Sequence, residues 1–259
     1  MLRQLAIAMA AAALAACAPA LPPADVDEAV LASGQLFKPD GVGPFPAVIV
    51  LHGCSGLTPN HTRWAHRLTA WGYAAFVIDS FGPRGVQTVC DTPNVPPLVR
   101  ARDALNAAIW LRAQPEIDGD RIGVVGFSHG GSTVMQVIRA PVVQTIGAPP
   151  FRAAVAYYPG CPPSDAPLAT DVLILIGDAD DWSSANRCAR YVESTPAQAH
   201  TVELKRYPGA YHAFDAPAGR RSYLGHTLGY DAAAAEDSFE RTRAFFDAHL
   251  RATATDATR

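Results

Sequence analysis

Gly126-Phe127-Ser128-His129-Gly130 constrains this chain more than any other segment. It follows the apolar run Ile122-Gly123-Val124-Val125 and precedes a helix-like stretch over residues 132–138. Glycine at both ends of such a pentapeptide permits a very tight strand-to-helix turn, with the serine held in a strained backbone and its hydroxyl exposed. A strand must therefore end here, a helix must begin, and a nucleophile must stand at the junction. Glycine and serine are common residues, so the motif needs support from the rest of the chain.

That support comes from alternation. Residues 48–51, 74–78, 122–125, 153–157 and 172–176 are short, continuous apolar runs. Runs of this kind are buried on both faces, as in a parallel sheet. Residues 202–207 instead alternate, which predicts a strand nearer an edge. Helical segments are expected between the strands, over 64–71, 98–111 and 184–192. The second carries an apolar stripe of Leu98, Ala101, Leu105 and Ile109. Asp231 is placed to cap a last helix whose core-facing stripe is Ala235, Phe239, Phe246 and Leu250. The pattern implies one α/β domain with a mostly parallel, doubly wound sheet and right-handed crossovers. Ligands bind such sheets at the carboxyl ends of the strands, where Ser128 stands.

A serine hydroxyl needs a base, and the base needs a carboxylate to orient it. Gly177-Asp178-Ala179-Asp180-Asp181-Trp182 follows the fifth apolar run, and its G-x-x-D spacing selects Asp180, with Asp178 and Asp181 as rivals. Of the histidines beyond it, His212 lies just past the alternating strand, with His226 its main rival; His200 and His249 suit surface positions. Two backbone donors for an oxyanion are expected from His129, directly after the serine, and from Cys54 in His52-Gly53-Cys54-Ser55-Gly56. The His52 ring reads as structural.

With these residues in view, the chain resembles the dienelactone hydrolase family from about residue 43 to 250. The resemblance rests on Pro46-Ala47-Val48 leading into His52-Gly53, on Asp79-Ser80-Phe81-Gly82-Pro83-Arg84-Gly85, on the Ser128 turn, on residues 177–182 and on Ala210-Tyr211-His212-Ala213-Phe214. It implies an α/β-hydrolase fold without a large lid domain; the segment between Tyr157 and Val172 is too short for a cap. It implies no cofactor and no metal. It also implies a substrate-binding role for Arg84, because the family places arginines on its substrate's carboxylate. Two positions depart from the family pattern. The nucleophile is serine where cysteine is usual, and Gly53-Cys54 occupies a loop that elsewhere carries a glutamate. The second family arginine has no clear match; Arg220 and Arg221 either substitute for it or are surface charges. The expected activity is hydrolysis of small carboxylic esters or lactones. A small-peptide hydrolase and a non-catalytic binding lipoprotein on the same scaffold are the alternatives. No G-x-G-x-x-G follows an early strand, which excludes a Rossmann dinucleotide site.

The first residues read as export machinery. Arg3 precedes an apolar stretch that ends in Leu14-Ala15-Ala16-Cys17, which resembles a bacterial lipobox. The expected organisation is a signal peptide over 1–16, a lipidated Cys17, a tether over 17–33 and the hydrolase domain over 34–259. The expected location is the periplasmic face of the envelope, anchored by lipid, with Ala18 favouring the outer membrane. Of the remaining cysteines, Cys54 and Cys90 follow consecutive strands, as do Cys161 and Cys188, which favours those two disulfides. Zinc ligation lacks a C-x-x-C spacing; free thiols are the other alternative. A net charge of −3 without a basic run argues against nucleic acid.

Overall fold

The computed structural model describes residues 24–163, 165–196 and 199–251. In chain order the elements are α1 (Ala24–Ala32), β1 (Gln35–Phe37), β2 (Phe45–Leu51), α2 (Pro59–Ala70), β3 (Ala74–Ile78), α3 (Pro97–Arg112), β4 (Ile117–Phe127), α4 (His129–Val137), α5 (Ala140–Ile146), β5 (Ala153–Tyr157), β6 (Val172–Gly177), α6 (Ala185–Ser194), β7 (Val202–Tyr207), β8 (Arg221–Tyr223), β9 (His226–Leu228) and α7 (Ala232–Leu250).

Seven strands form one sheet in the order β1-β3-β2-β4-β5-β6-β7. β1 runs antiparallel to β3, and the other neighbouring pairs are parallel. Every residue of β3, β5 and β6 is buried, as their continuous apolar sequences require. β7, whose sequence alternates, lies at the edge. A separate hairpin, β8–β9, stands apart from the sheet.

α7 packs across β4, β5 and β6. Asp231 caps it by accepting the Ala234 N–H at 3.0 Å, which satisfies one of the donors that a helix start leaves free. Its stripe is the expected one: Ala235, Phe246 and Leu250 are fully buried and Phe239 partly so. The helix sits close because β4 offers Gly123 beneath it; a β-carbon there would lie 3.0 Å from Leu250 and 3.1 Å from Phe246.

Two expectations are corrected. Residues 24–32, expected within the tether, form α1, which docks on α3 through the buried Val30. An apolar residue in a Pro/Ala-rich stretch is enough to anchor one short helix. The stripe expected on α3 is also misplaced, because Leu98 and Ile109 are exposed. The inward face carries Ala101, Ala104, Ala107 and Ala108 with Leu105 and Leu111, together with Arg100 and Asp103. Small side chains let α3 approach β2 and β4 closely, and that outweighs the larger apolar residues on its outer face. The signal peptide and Cys17 lie outside the described residues. Among the described residues no helix is long and apolar enough to cross a membrane.

Both expected disulfides are present. Cys54–Cys90 has α-carbons 4.8 Å apart and Cys161–Cys188 has them 5.0 Å apart. The first ties the loop after β2 to the loop after β3; the second ties the loop after β5 to α6.

Phe246→Ala should destabilise the domain by about 3–5 kcal/mol, the usual cost of emptying a buried aromatic site. Urea unfolding measures it; a loss under about 1 kcal/mol would mean that α7 is not seated as described.

Candidate active site

Ser128 ends β4 with φ 53° and ψ −110°, a conformation that L-residues adopt only under constraint. The constraint is steric and hydrogen-bonded. A β-carbon on Gly126 would fall 2.2 Å from Gly130 O, and one on Gly130 would fall 2.2 Å from Leu51 O. The Ser128 N–H donates to Tyr157 O at 3.0 Å, and its carbonyl accepts the Ser132 N–H at 2.8 Å. The first turn of α4 is thereby pressed onto the end of β2, and only glycines allow it.

His212 Nε2 lies 2.9 Å from Ser128 Oγ, and His212 Nδ1 lies 2.8 Å from Asp180 Oδ2. Asp180 accepts two further bonds at Oδ1, from the N–H groups of Trp182 at 2.9 Å and Ser183 at 2.7 Å. Its side chain is fully buried. The His212 ring is held between Tyr158, 4.6 Å away, and Trp182, 5.2 Å away, by ring centroids. The serine, histidine and aspartate thus form one hydrogen-bonded chain, and that geometry is able to carry the serine proton away.

The rivals lie elsewhere. Asp178 pairs with Arg206 at 2.5 Å. Asp181 accepts the Thr227 N–H and so holds β9. His226 stacks on Trp182 at 4.6 Å and contacts Asp181 O rather than Ser128. His200 and His249 both face Asp171.

Of the two expected backbone donors, His129 directly follows Ser128 and Cys54 lines the same cavity as the serine. His129 is the first residue of α4, so its N–H has no intrahelical acceptor. Gly53 is in ordinary contact with the serine; a β-carbon there would lie 3.8 Å from Ser128 Cβ. Cys54 O accepts the Val89 N–H at 2.9 Å, and its sulfur is bonded to Cys90. His52 is structural, as its setting demands. Fully buried, it donates from Nδ1 to Gly53 O at 2.8 Å and accepts the Ser80 N–H at Nε2 at 3.1 Å.

The expectation for Arg84 does not hold. Its guanidinium forms a bidentate pair with Asp103, at 2.7 and 2.8 Å, and donates to Ser80 O at 2.7 Å. The carboxylate it recognises belongs to the protein itself. The cavity beside Ser128, about 130 Å³, is lined instead by Arg221 and Tyr223 from β8, together with His61, Phe127 and Trp182. Of the two arginines weighed as substitutes for the second family arginine, Arg221 therefore lines the cavity. Sequence reading missed the hairpin itself, because three-residue strands are too short to show a pattern. It also missed Asp215, buried under the cavity and accepting from Asn60, Trp64 and Tyr158 at 2.7–2.9 Å. An aspartate three residues after His212 was the available signal.

This fold and this site define an α/β-hydrolase. The profile of the dienelactone hydrolase family matches residues 32–250, and the chain belongs to that family of carboxylic-ester hydrolases. A Bradyrhizobium protein provisionally named 2-oxo-3-(5-oxofuran-2-ylidene)propanoate lactonase is 26% identical over 69% of this chain and 77% of its own. A Synechocystis protein provisionally named carboxymethylenebutenolidase is 22% identical, covering 85% of this chain and 92% of its own. In fold, the chain is similar to a Klebsiella pneumoniae protein provisionally named dienelactone hydrolase. The two share a TM-score of 0.66 and 24% identity over 82% of this chain and 91% of that one.

Burial dominates the behaviour of three histidines around the site. It pulls His52 down to about 4, and His61 and His129 each to about 3. They are neutral in the fold and titrate near 6.5 when unfolded. Between those values the unfolded chain binds protons that the folded chain refuses, so stability must fall as pH drops from about 6.5 towards 4. Urea midpoints measured across that window should show the fall, and His61→Asn should make it shallower. A flat profile would mean that these rings accept protons in place. Gly130→Ala should destabilise by about 3 kcal/mol or more, since its β-carbon meets backbone that cannot move aside; thermal unfolding checks it.

Proposed function

We propose that the chain is a serine hydrolase that cleaves small carboxylic esters or lactones through an acyl-enzyme. The observation that carries this reading is the Ser128–His212–Asp180 chain, closed at 2.9 and 2.8 Å. Ser128 Oγ attacks the substrate carbonyl while His212 Nε2 takes its proton. Asp180, anchored by two backbone N–H groups, keeps the other imidazole proton on Nδ1 and stabilises the imidazolium that forms. The N–H groups of Cys54 and His129 receive the oxyanion. His212 then protonates the leaving alkoxide, and water repeats the sequence to free the acid and Ser128.

The size of the cavity supports small acyl groups or a single lactone ring. The names of the two sequence relatives, a lactonase and a butenolidase, favour cyclic esters among the substrates. The completeness of the hydrogen-bonded chain speaks against the non-catalytic reading. We also propose that Cys17 carries lipid and holds the enzyme at the periplasmic face of the outer membrane, a location consistent with two disulfides.

Ser128→Ala should lose at least about 10³-fold in kcat on p-nitrophenyl acetate while unfolding at the same urea concentration as wild type. An organophosphonate should label Ser128. Turnover that survives the substitution, or label on another serine, would overturn the assignment. Across an acyl series, kcat/KM should fall from acetate and butyrate to octanoate. Cys17→Ser should release the protein from membranes, and wild-type protein that is soluble in the periplasm with an unmodified N-terminus would refute the anchor.

A further inference from the structure

Arg100 lies in the first turn of α3 and is fully buried. Its Nη1 lies 2.8 Å from His129 Nδ1, and its Nη2 donates to His52 O at 2.8 Å. Its Nε has no partner. The nearest acid on its own helix, Asp103, has both carboxylate oxygens engaged by Arg84. The guanidinium instead rests over the Phe81 ring, 5.0 Å from its centroid. Burial lowers Arg100 to about 9, so it remains a cation at neutral pH.

A buried cation without a bonded carboxylate is costly, and a hydrocarbon side chain of similar size would fill the same space without that cost. What a hydrocarbon could not do is reach two acceptors at once. His52 O belongs to the loop that carries the Cys54 N–H. The His129 ring belongs to the residue whose own N–H is the other oxyanion donor. These two donors sit on separate elements, the loop after β2 and the start of α4. The guanidinium is a rigid planar fork, so its two arms hold a set distance between the groups they bind. An acceptor role for Nδ1 also leaves the His129 proton on Nε2.

We propose that Arg100 is a positioning residue for the oxyanion hole. Its two arms fix the loop of Cys54 against the start of α4. The inference rests on the catalytic reading of Ser128 given above and goes beyond it. Arg100 contributes in the transition state, where the oxygen is charged, and little to binding of the neutral ester.

The test uses the full chain with p-nitrophenyl acetate, counting active sites with an organophosphonate. Arg100→Lys keeps the charge but cannot bridge two acceptors in one plane. It should lower kcat per labelled site about 30- to 100-fold, somewhat less than deleting an oxyanion donor outright. KM should stay within about twofold, and the affinity for a phenylboronic acid, which forms a tetrahedral anion on serine, should fall in parallel with kcat. A purely structural role would reduce the fraction of labelled sites and leave kcat per site intact, and that result would overturn the proposal. His129→Leu removes one arm while leaving Arg100 in place, and it serves if the lysine variant does not fold. It should cost at least about tenfold in kcat per site, and a value within about threefold of wild type would refute the brace. Wild-type protein that takes no label, or Ser128→Ala that still turns over, would bring down the catalytic reading itself and this inference with it.

Discussion

The contact between the first turn of α4 and the end of β2 governs the rest of this molecule. Gly130 lies directly on the Leu51 carbonyl, Gly126 lies directly on Gly130, and Ser128 between them is forced to φ 53°. No side chain larger than hydrogen fits at either glycine. The approach also brings the residues after β2 beside the serine, so the turn that carries Ser128 is the same turn that receives the neighbouring loop. A strained conformation survives only if its surroundings over-determine it, and here the surroundings are five parallel strands with runs buried on both faces.

Around that point, buried polar groups are held by other polar groups of the protein. His52 joins the ends of β2 and β3, Asp180 gathers two peptide N–H groups and one imidazole, and Asp215 gathers an amide, an indole and a phenol. Each of these is a buried polar residue with its valences largely spent, which is the condition for rigidity in a low-dielectric interior. The aromatic rings of Tyr158 and Trp182 complete the enclosure of His212 without competing for its nitrogens.

How much of this can be read in advance depends on the range over which a feature acts. The parallel strands are legible because burial on both faces writes runs of four or five consecutive apolar residues. The Ser128 turn is legible because it demands glycines at fixed offsets. Asp180 and His212 are legible because each follows a strand whose end must lie beside Ser128. The Arg84 assignment fails because a positive side chain near a site has two sources of carboxylate, substrate and protein, and the sequence position of Asp103 does not distinguish them. The inner face of α3 is obscured because alanines that permit close packing look less hydrophobic than the leucine and isoleucine on the outside. β8 and β9 carry no signal because their pairing is set by contacts to Asp181 and Trp182 on a distant loop.

The sheet ends differently on its two sides. β1 is only three residues long, and β7 carries Glu203, Lys205 and Arg206 along its length. An open sheet margin is a template for any extended chain that meets it, and two copies of one enzyme offer each other the same template. Here one margin is too short to hold a visitor, and the other carries three charged side chains on a six-residue strand. A very short strand on one border and charged side chains on the other are both features that discourage an added strand.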